Sequence, residues 1–281
     1  IKCKQHYASI EFTEKVDKNL IRKTRKMKPE EISEKACKKI RMNSDLVNKH
    51  LKVLEEMVSI DSRSFGVNEF DGDRTAPTDM KEILECAKKK AKQQSIHNIK
   101  FVLADAQNHE FILNSYDAIF SRFGLMFFDN PVAAFSNLLK GLKSGGRLTF
   151  ICWADRSVND WIELSTNIAS RFLELPPKSA PRDPGPFAFE DPLYLQEILL
   201  NSGWNEVVIE KYSAKNVVGK NIKDAADFLS RMGPMSVPFE NSKKPVQRKV
   251  IDSLKENFIA YRTRRGVEMH FSTWIVTAKK A

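Results

Sequence analysis

Two short lines of the sequence put polar side chains where an apolar run hands over to a loop. The first run, Phe101-Val102-Leu103, ends on Ala104 and the acidic-small pair Asp105-Ala106. The second, inside YDAIFSRFGLMFF, ends on Ser121-Arg122-Phe123 just before Gly124. A carboxylate at such a place either caps the turn that follows or accepts hydrogen bonds from a ligand. Phe123 either walls a pocket or packs into a core, and Met126-Phe127-Phe128 reads as the apolar lead-in to the next helix. His109 and His270 read as surface or packing residues rather than proton carriers. The cysteines, Cys3, Cys37, Cys86 and Cys152, are scattered with no C-x-x-C pair. That spacing argues against a zinc knuckle or a disulfide framework and fits a reducing, cytoplasmic setting. Cys152, in the apolar stretch LTFICWA, reads as a packed core thiol. No catalytic residue and no metal set emerges.

The elements that must position these residues are legible from Ile99 onward. Strand IKFVLADA leads through a polar loop to strand YDAIFSRFG. Helix NPVAAFSNLLKGLKSGG, stopped at Gly145-Gly146, leads to strand GRLTFICWA. Short, continuous apolar strands are those of a sheet covered on both faces, and a βαβ series implies a parallel sheet. Downstream come helix DWIELSTNIASRFLEL, a Pro-rich excursion at PPKSAPRDPGPF, and helix EDPLYLQEILLNSGW with Gly203 as its stop. Strand EVVIEKYS, two helices around IKDAADFLSRMG and VQRKVIDSLKENFIAYR, and the closing strand MHFSTWIVTAK complete the chain. Ahead of Ile99 the texture is helical: MKPEEISEKACKKI has Pro29 near its start, and SDLVNKHLKVLEEMVSI sets Leu46, Val47, Leu51, Leu54, Met57 and Val58 on one face. Residues 61–80 read as an acid-rich loop, and PTDMKEILECAKKKAKQQS as a further helix with Thr78 or Asp79 as its cap.

The 281 residues carry a formal net charge of +10, concentrated in residues 1–100, which hold 23 Lys and Arg against 16 Asp and Glu. Nucleic-acid binding is one account of that excess. The lysines alternate with glutamates at helical spacing and few aromatics accompany them, which favours solvated helix faces. No apolar run approaches the roughly 18–20 residues of a membrane span. The opening IKCKQHYASIEF has no signal-peptide core, and Ile1 in place of Met reads as the start of a fragment.

The blocks FVLADAQ, YDAIFSRFGLMFF, LKSGGRLTFICW and TWIVTAKK, in this order, resemble the second half of class I S-adenosylmethionine-dependent methyltransferases of the small-molecule group related to ubiquinone and menaquinone biosynthesis. The resemblance runs from about Ala87 to Ala281. It implies an α/β, Rossmann-like sheet with a C-terminal antiparallel strand pair, the cofactor lying across the carboxyl ends of the strands. It also implies that Asp105 accepts from the adenine amino group and that the Ala106 amide meets a ring nitrogen. Ser121 and Arg122 would sit beside the methionine portion of S-adenosylmethionine, with Phe123 as a pocket wall. The partner would be a small-molecule methyl acceptor, and the oligomeric state is not legible.

The family's opening strand and its D-x-G-x-G-x-G loop, followed by a strand ending in a ribose-binding acid, have no counterpart in residues 1–98, whose only glycines are Gly66 and Gly72. Asn43 to Ala87 resembles instead the opening of aminoacylase-type zinc exopeptidases. Those enzymes bind zinc through an H-x-D pair, and none occurs in this sequence, which argues against their chemistry. The expected organisation is therefore an N-terminal helical and loop region over 1–85, joined within Met80–Lys92 to an incomplete methyltransferase-like domain over 86–281. Two other readings compete with an active methyltransferase: a non-catalytic remnant of that fold, and a basic binding module. An incomplete sheet should leave one strand edge unpaired or covered by a helix.

Overall fold

A computed structural model describes residues 7–12, 80–93 and 99–281 of the protein. The helices expected between Met27 and Ile60, the loop over 61–79 and the cap candidates Thr78 and Asp79 lie outside the described residues. The described elements fall into two units.

The smaller unit contains strand β1 (Tyr7–Phe12), helix α1 (Met80–Gln93) and strand β2 (Ile99–Ala104); β1 and β2 form a two-stranded sheet. Helix α1 is amphipathic by a four-residue step. Ala87 and Ala91 are buried, while Glu85, Lys88, Lys89 and Lys92 face water, with a Lys88–Glu85 ion pair at 2.7 Å. The span Met80–Lys92, where the junction is expected, lies within this helix, the one read from the sequence there.

The larger unit, from Ala104 to the end, is built on strands β3 (Tyr116–Arg122), β4 (Leu142–Trp153), β5 (Asn205–Gly219), the short β6 (Arg262–Thr263) and β7 (Gly266–Lys279). The order is β3-β4-β7-β5, with β6 paired to β7. Only β3 and β4 run parallel, Ile119 facing Leu148 and Ser121 facing Phe150. The β4–β7 and β7–β5 ladders are antiparallel, Phe150 facing Val276 and Val276 facing Ile209. The α/β sheet with an antiparallel C-terminal pair is the one expected, but its parallel part is smaller than the alternation of elements implied. Among the described residues β3 pairs only with β4.

Helix α2 (Pro131–Gly141) makes the crossover between β3 and β4. Asn130 caps it by accepting from the Ala133 amide at 3.0 Å, and Pro131 fills the first-turn position, where an N–H would go unused. The sequence carried this helix to Gly145-Gly146, but it stops at Gly141. There an added Cβ would lie 3.1 Å from Phe111 and from the Tyr116 ring, and Leu142 turns fully into the core as the first residue of β4. The glycines instead shape the start of the strand, with Gly145 at φ 75°.

Helix α3 (Asp160–Ala169) is shorter than expected because the chain leaves it through turns at 170–172. Helix α4 (Pro192–Asn201) is stopped by Gly203, whose φ of 89° is left-handed and inexpensive for glycine alone. Strand β5 runs to Gly219, past the expected Ser213, because β7 continues beside it to Val267. Helices α5 (Ile222–Leu229), α6 (Ser236–Asn241) and α7 (Lys244–Phe258) follow, α6 being absent from the sequence reading.

Two apolar cores result. One lies between the sheet and α2 and α4, around Phe135, Leu148, Phe150, Leu195 and Trp204; the Trp204 indole donates to the Phe135 carbonyl at 3.2 Å. The other gathers α3, α5 and α7 around Leu229, Val250, Leu254 and Phe258. Trp153, the last residue of β4, packs against both. Each fully buried large side chain here contributes about 1.5–3 kcal/mol of transfer free energy.

Candidate functional site

The residues singled out in the sequence all lie in the larger unit, on the loop after β2 and at the carboxyl end of β3. Asp105 opens a tight polar turn. One carboxylate oxygen accepts from the Gln107 amide at 2.9 Å and the other from the Asn108 side chain at 2.7 Å, while its carbonyl accepts from the Asn108 and His109 amides. The turn-acid role is thus realised in the fold. A carboxylate offers about four lone-pair sites, so two accepted bonds leave capacity for an outside donor. Ala106 is buried, and its small side chain lets the turn sit against α2. Asn137 of that helix donates to the carbonyls of Ala106 at 3.0 Å and His109 at 2.8 Å. Gln107 accepts from the Asn130 amide at 2.9 Å. The sequence reading missed this fastening, since nothing in the α2 pattern marks Asn137 apart from other polar helix positions. His109 stands edge-on to Phe111 with centroids 4.8 Å apart, and His270 is exposed, as packing and surface residues do.

At the end of β3, Ser121 and Arg122 are the last ladder residues, opposite Phe150 and Ile151. A Cβ on Gly124 would come within 3.0 Å of the Ser121 hydroxyl, so the glycine keeps the backbone close to that group. Phe123 has φ 57°, which is uncommon and costly outside glycine. It is held there by its amide, which donates to the Ile151 carbonyl at 2.9 Å, and by stacking on Trp153 with centroids 4.4 Å apart at 18°. The Arg122 guanidinium lies 5.7 Å from the Phe123 ring centroid. Met126 and Phe128 are buried, as an apolar lead-in requires.

From Trp153 an aromatic row continues into the second core. Trp161 lies 5.0 Å away, and Phe271 stacks on Trp161 at 5.6 Å and 9°. Asn159, fully buried, ties this corner together. Its side-chain NH2 donates to the carbonyls of Ala154, Asp155 and Ser272; its oxygen accepts from the Ser272 amide and the Trp161 indole. Beside it Arg156 donates to Glu163 at 2.8 Å and to the Thr166 hydroxyl, and lies 5.6 Å from the Phe187 centroid. Lys178 reaches Glu163 from the Pro-rich excursion at 3.1 Å. Partial burial pushes the Glu163 carboxyl up, but hydrogen bonds and charge from Arg156 and Lys178 outweigh it and hold the pKa below its ordinary value. Neither Asn159 nor the Arg156–Glu163 pair was singled out in the sequence; the Ser272 partner of Asn159 lies 113 positions away, whereas Arg156 and Glu163 are only seven apart. Cys152 is fully buried as expected, and burial pushes its thiol far up.

Among the described residues no cluster of three or more His, Cys, Asp or Glu could hold a metal ion, and no helix is long and apolar enough to cross a membrane. The aminoacylase-like stretch Asn43–Ala87 lies outside the described residues except for its end in α1.

Residues 66–150 match the family described as a methyltransferase domain. The matched span begins within the stretch assigned to the N-terminal region and includes Asp105, Ala106, Ser121, Arg122 and Phe123. A curated relative, the demethylmenaquinone methyltransferase of Paenarthrobacter aurescens, is 28% identical over 124 residues, 41% of this chain. The match takes in 49% of that protein, so the chain spans about half the length of the relative. Among solved structures, the YcgJ protein of Bacillus subtilis superposes with a TM-score of 0.45 at 15% identity, covering 72% of this chain and 79% of that one. Phosphoethanolamine N-methyltransferase 2 of Haemonchus contortus, solved with S-adenosyl-L-methionine, gives 0.36 at 14%, covering 70% and 41%. Superpositions this remote fix no residue role.

Proposed function

We propose that the region from residue 86 to the end is the cofactor- and acceptor-binding part of an S-adenosylmethionine-dependent methyltransferase acting on a small molecule. The observation that carries this is the family match over 66–150, which spans both the Asp105 turn and the end of β3. Asp105 retains acceptor capacity for an exocyclic amine, and the small, buried Ala106 leaves room for a flat ring against the main chain. Those features fit the adenine end of the cofactor. Ser121, Arg122 and the left-handed Phe123 would line its methionine portion. When bound, S-adenosylmethionine supplies an already activated methyl group, so the protein's task is to align the acceptor and exclude water. Phe123 and Trp153 supply an apolar wall for that purpose; no proton carrier is assigned.

The glycine-rich anchor for the amino-acid tail is not supplied by residues 1–98, which contain only Gly66 and Gly72. This favours a second reading, a methyltransferase-like fold without a competent cofactor site. Calorimetric titration of the full chain with S-adenosylmethionine separates the two. Measurable heat that shrinks in Asp105→Asn supports binding. Silence at millimolar ligand from a folded chain leaves the second reading standing and ends the first.

A further inference from the structure

The far end of the β5–β7 ribbon gathers cations from three segments. Strand β6 turns back onto β7 through a two-residue tip, Arg264-Arg265, with Thr263 opposite Gly266. The Thr263 hydroxyl fixes the tip: it accepts from the Arg265 amide and donates to the Gly266 carbonyl, both at 3.1 Å. Gly266 has φ 130°, and a Cβ there would run into the Gly219 carbonyl, so the tip sits directly against the end of β5. Gly219 in turn lies against Ala225 of α5. The arginines of the tip, Lys220 after β5 and Lys223 in the first turn of α5 are thereby brought to one place.

Residues 215–224 and 259–270 hold six Lys and Arg against two acids, Asp224 and Glu268, so the place is strongly cationic. Both acids are already engaged, Glu268 by Arg265 and Asp224 by the Asn221 side chain at 2.9 Å. Lys220, Lys223, Arg262 and Arg264 are exposed, and among the described residues none of them has an ion-pair partner. Apolar side chains stand bare beside them. Ile259, 63% exposed, opens the single 3-10 turn that leads into β6. Its carbonyl accepts from the Arg262 amide, a spacing that sets the two side chains on one side. Val217, 44% exposed, lies 3.1 Å from where a Gly266 Cβ would be.

We propose that this tip docks the protein onto an anionic lipid bilayer, its arginines and lysines meeting headgroup phosphates while Ile259 and Val217 enter the boundary beneath them. Cations alone would serve any polyanion. Apolar side chains held in water among those cations gain nothing from a phosphate backbone, but they gain from acyl chains. Single-stranded nucleic acid would also call for an aromatic platform. The aromatic nearest in sequence, Tyr261, is half-buried and packs against the second core instead.

Co-sedimentation of the full chain with phosphatidylcholine vesicles should rise when phosphatidylglycerol is included and fall with added salt. Arg262→Glu/Arg264→Glu should weaken binding to the mixed vesicles by about tenfold or more, and Lys220→Glu/Lys223→Glu, on different segments, should do the same. Ile259→Ser should lower binding roughly fivefold with no change of charge. Lys89→Glu/Lys92→Glu, an equal change of charge on α1, should leave most of the binding in place. Failure to sediment with the anionic vesicles overturns the proposal, and so does binding kept in both tip variants but lost in the α1 variant. Loss on charge reversal with no effect of Ile259→Ser overturns the lipid assignment in favour of a polyanion such as RNA.

Discussion

Replacing Asn159 by Ala should be among the most damaging single changes in the larger unit, although the residue touches neither Asp105 nor the end of β3. Its side chain is fully buried between the end of β4, the start of α3 and the middle of β7. Truncation leaves the Ser272 amide, bonded at 2.9 Å, and the Trp161 indole, at 3.3 Å, as buried donors without an acceptor. Each such donor costs about 1–3 kcal/mol, and a cavity term adds to it. The sum, about 3–5 kcal/mol, is a large share of the roughly 5–15 kcal/mol that holds a domain together. Asn159→Asp distinguishes lost bonds from lost volume. It keeps the acceptor but turns an oxygen toward the carbonyls of Ala154, Asp155 and Ser272, so it should destabilise about as much as Ala. Urea unfolding followed by tryptophan emission reports on this unit, because all four tryptophans, Trp153, Trp161, Trp204 and Trp274, lie in it. At a slope of about 1–3 kcal/mol per molar, the midpoint should fall by roughly 2 M. An Asn159→Ala midpoint within about 0.5 M of the parent would refute the reasoning, since it would mean that water or rearrangement replaces those partners.

Asp105→Asn should keep the Gln107 bond and melt within about 1 kcal/mol of the parent, while weakening S-adenosylmethionine binding by roughly 1.5–3 kcal/mol, measured by calorimetry. A loss of stability larger than that with affinity unchanged would assign the residue to the turn alone. For Glu163 the folded carboxyl pKa is depressed, so its contribution is present above the unfolded value and is lost as pH falls through the folded one. Acid titration should therefore cost the parent more stability than Glu163→Gln; identical acid limbs would contradict this. The Cys152 thiol, buried and held protonated, should resist an aromatic disulfide reagent in the folded chain and react on unfolding, as read by peptide mapping.

What the sequence disclosed follows from how far apart the interacting groups are. Strands β3, β4 and β7 announce themselves as apolar runs, and Asn130-Pro131 marks the start of α2 through purely local bonds. The end of α2 was misread because Gly145-Gly146 is a strong stop signal, whereas the helix ends where Leu142 turns extended and buries its side chain in the core as β4 begins. The residues that fasten the candidate site were hidden for the same reason. Asn137 serves carbonyls about thirty positions earlier, and Asn159 serves Ser272 across |i−j| = 113. Asp105 shows where the two kinds of information meet. The family resemblance pointed to a ligand, and the residue's local chemistry to a turn. The fold satisfies the turn with one bond to each carboxylate oxygen and leaves both oxygens able to accept again. A pre-formed turn of that kind fixes the carboxylate's direction before any ligand arrives, so the structural role is a condition of the binding role rather than a rival to it.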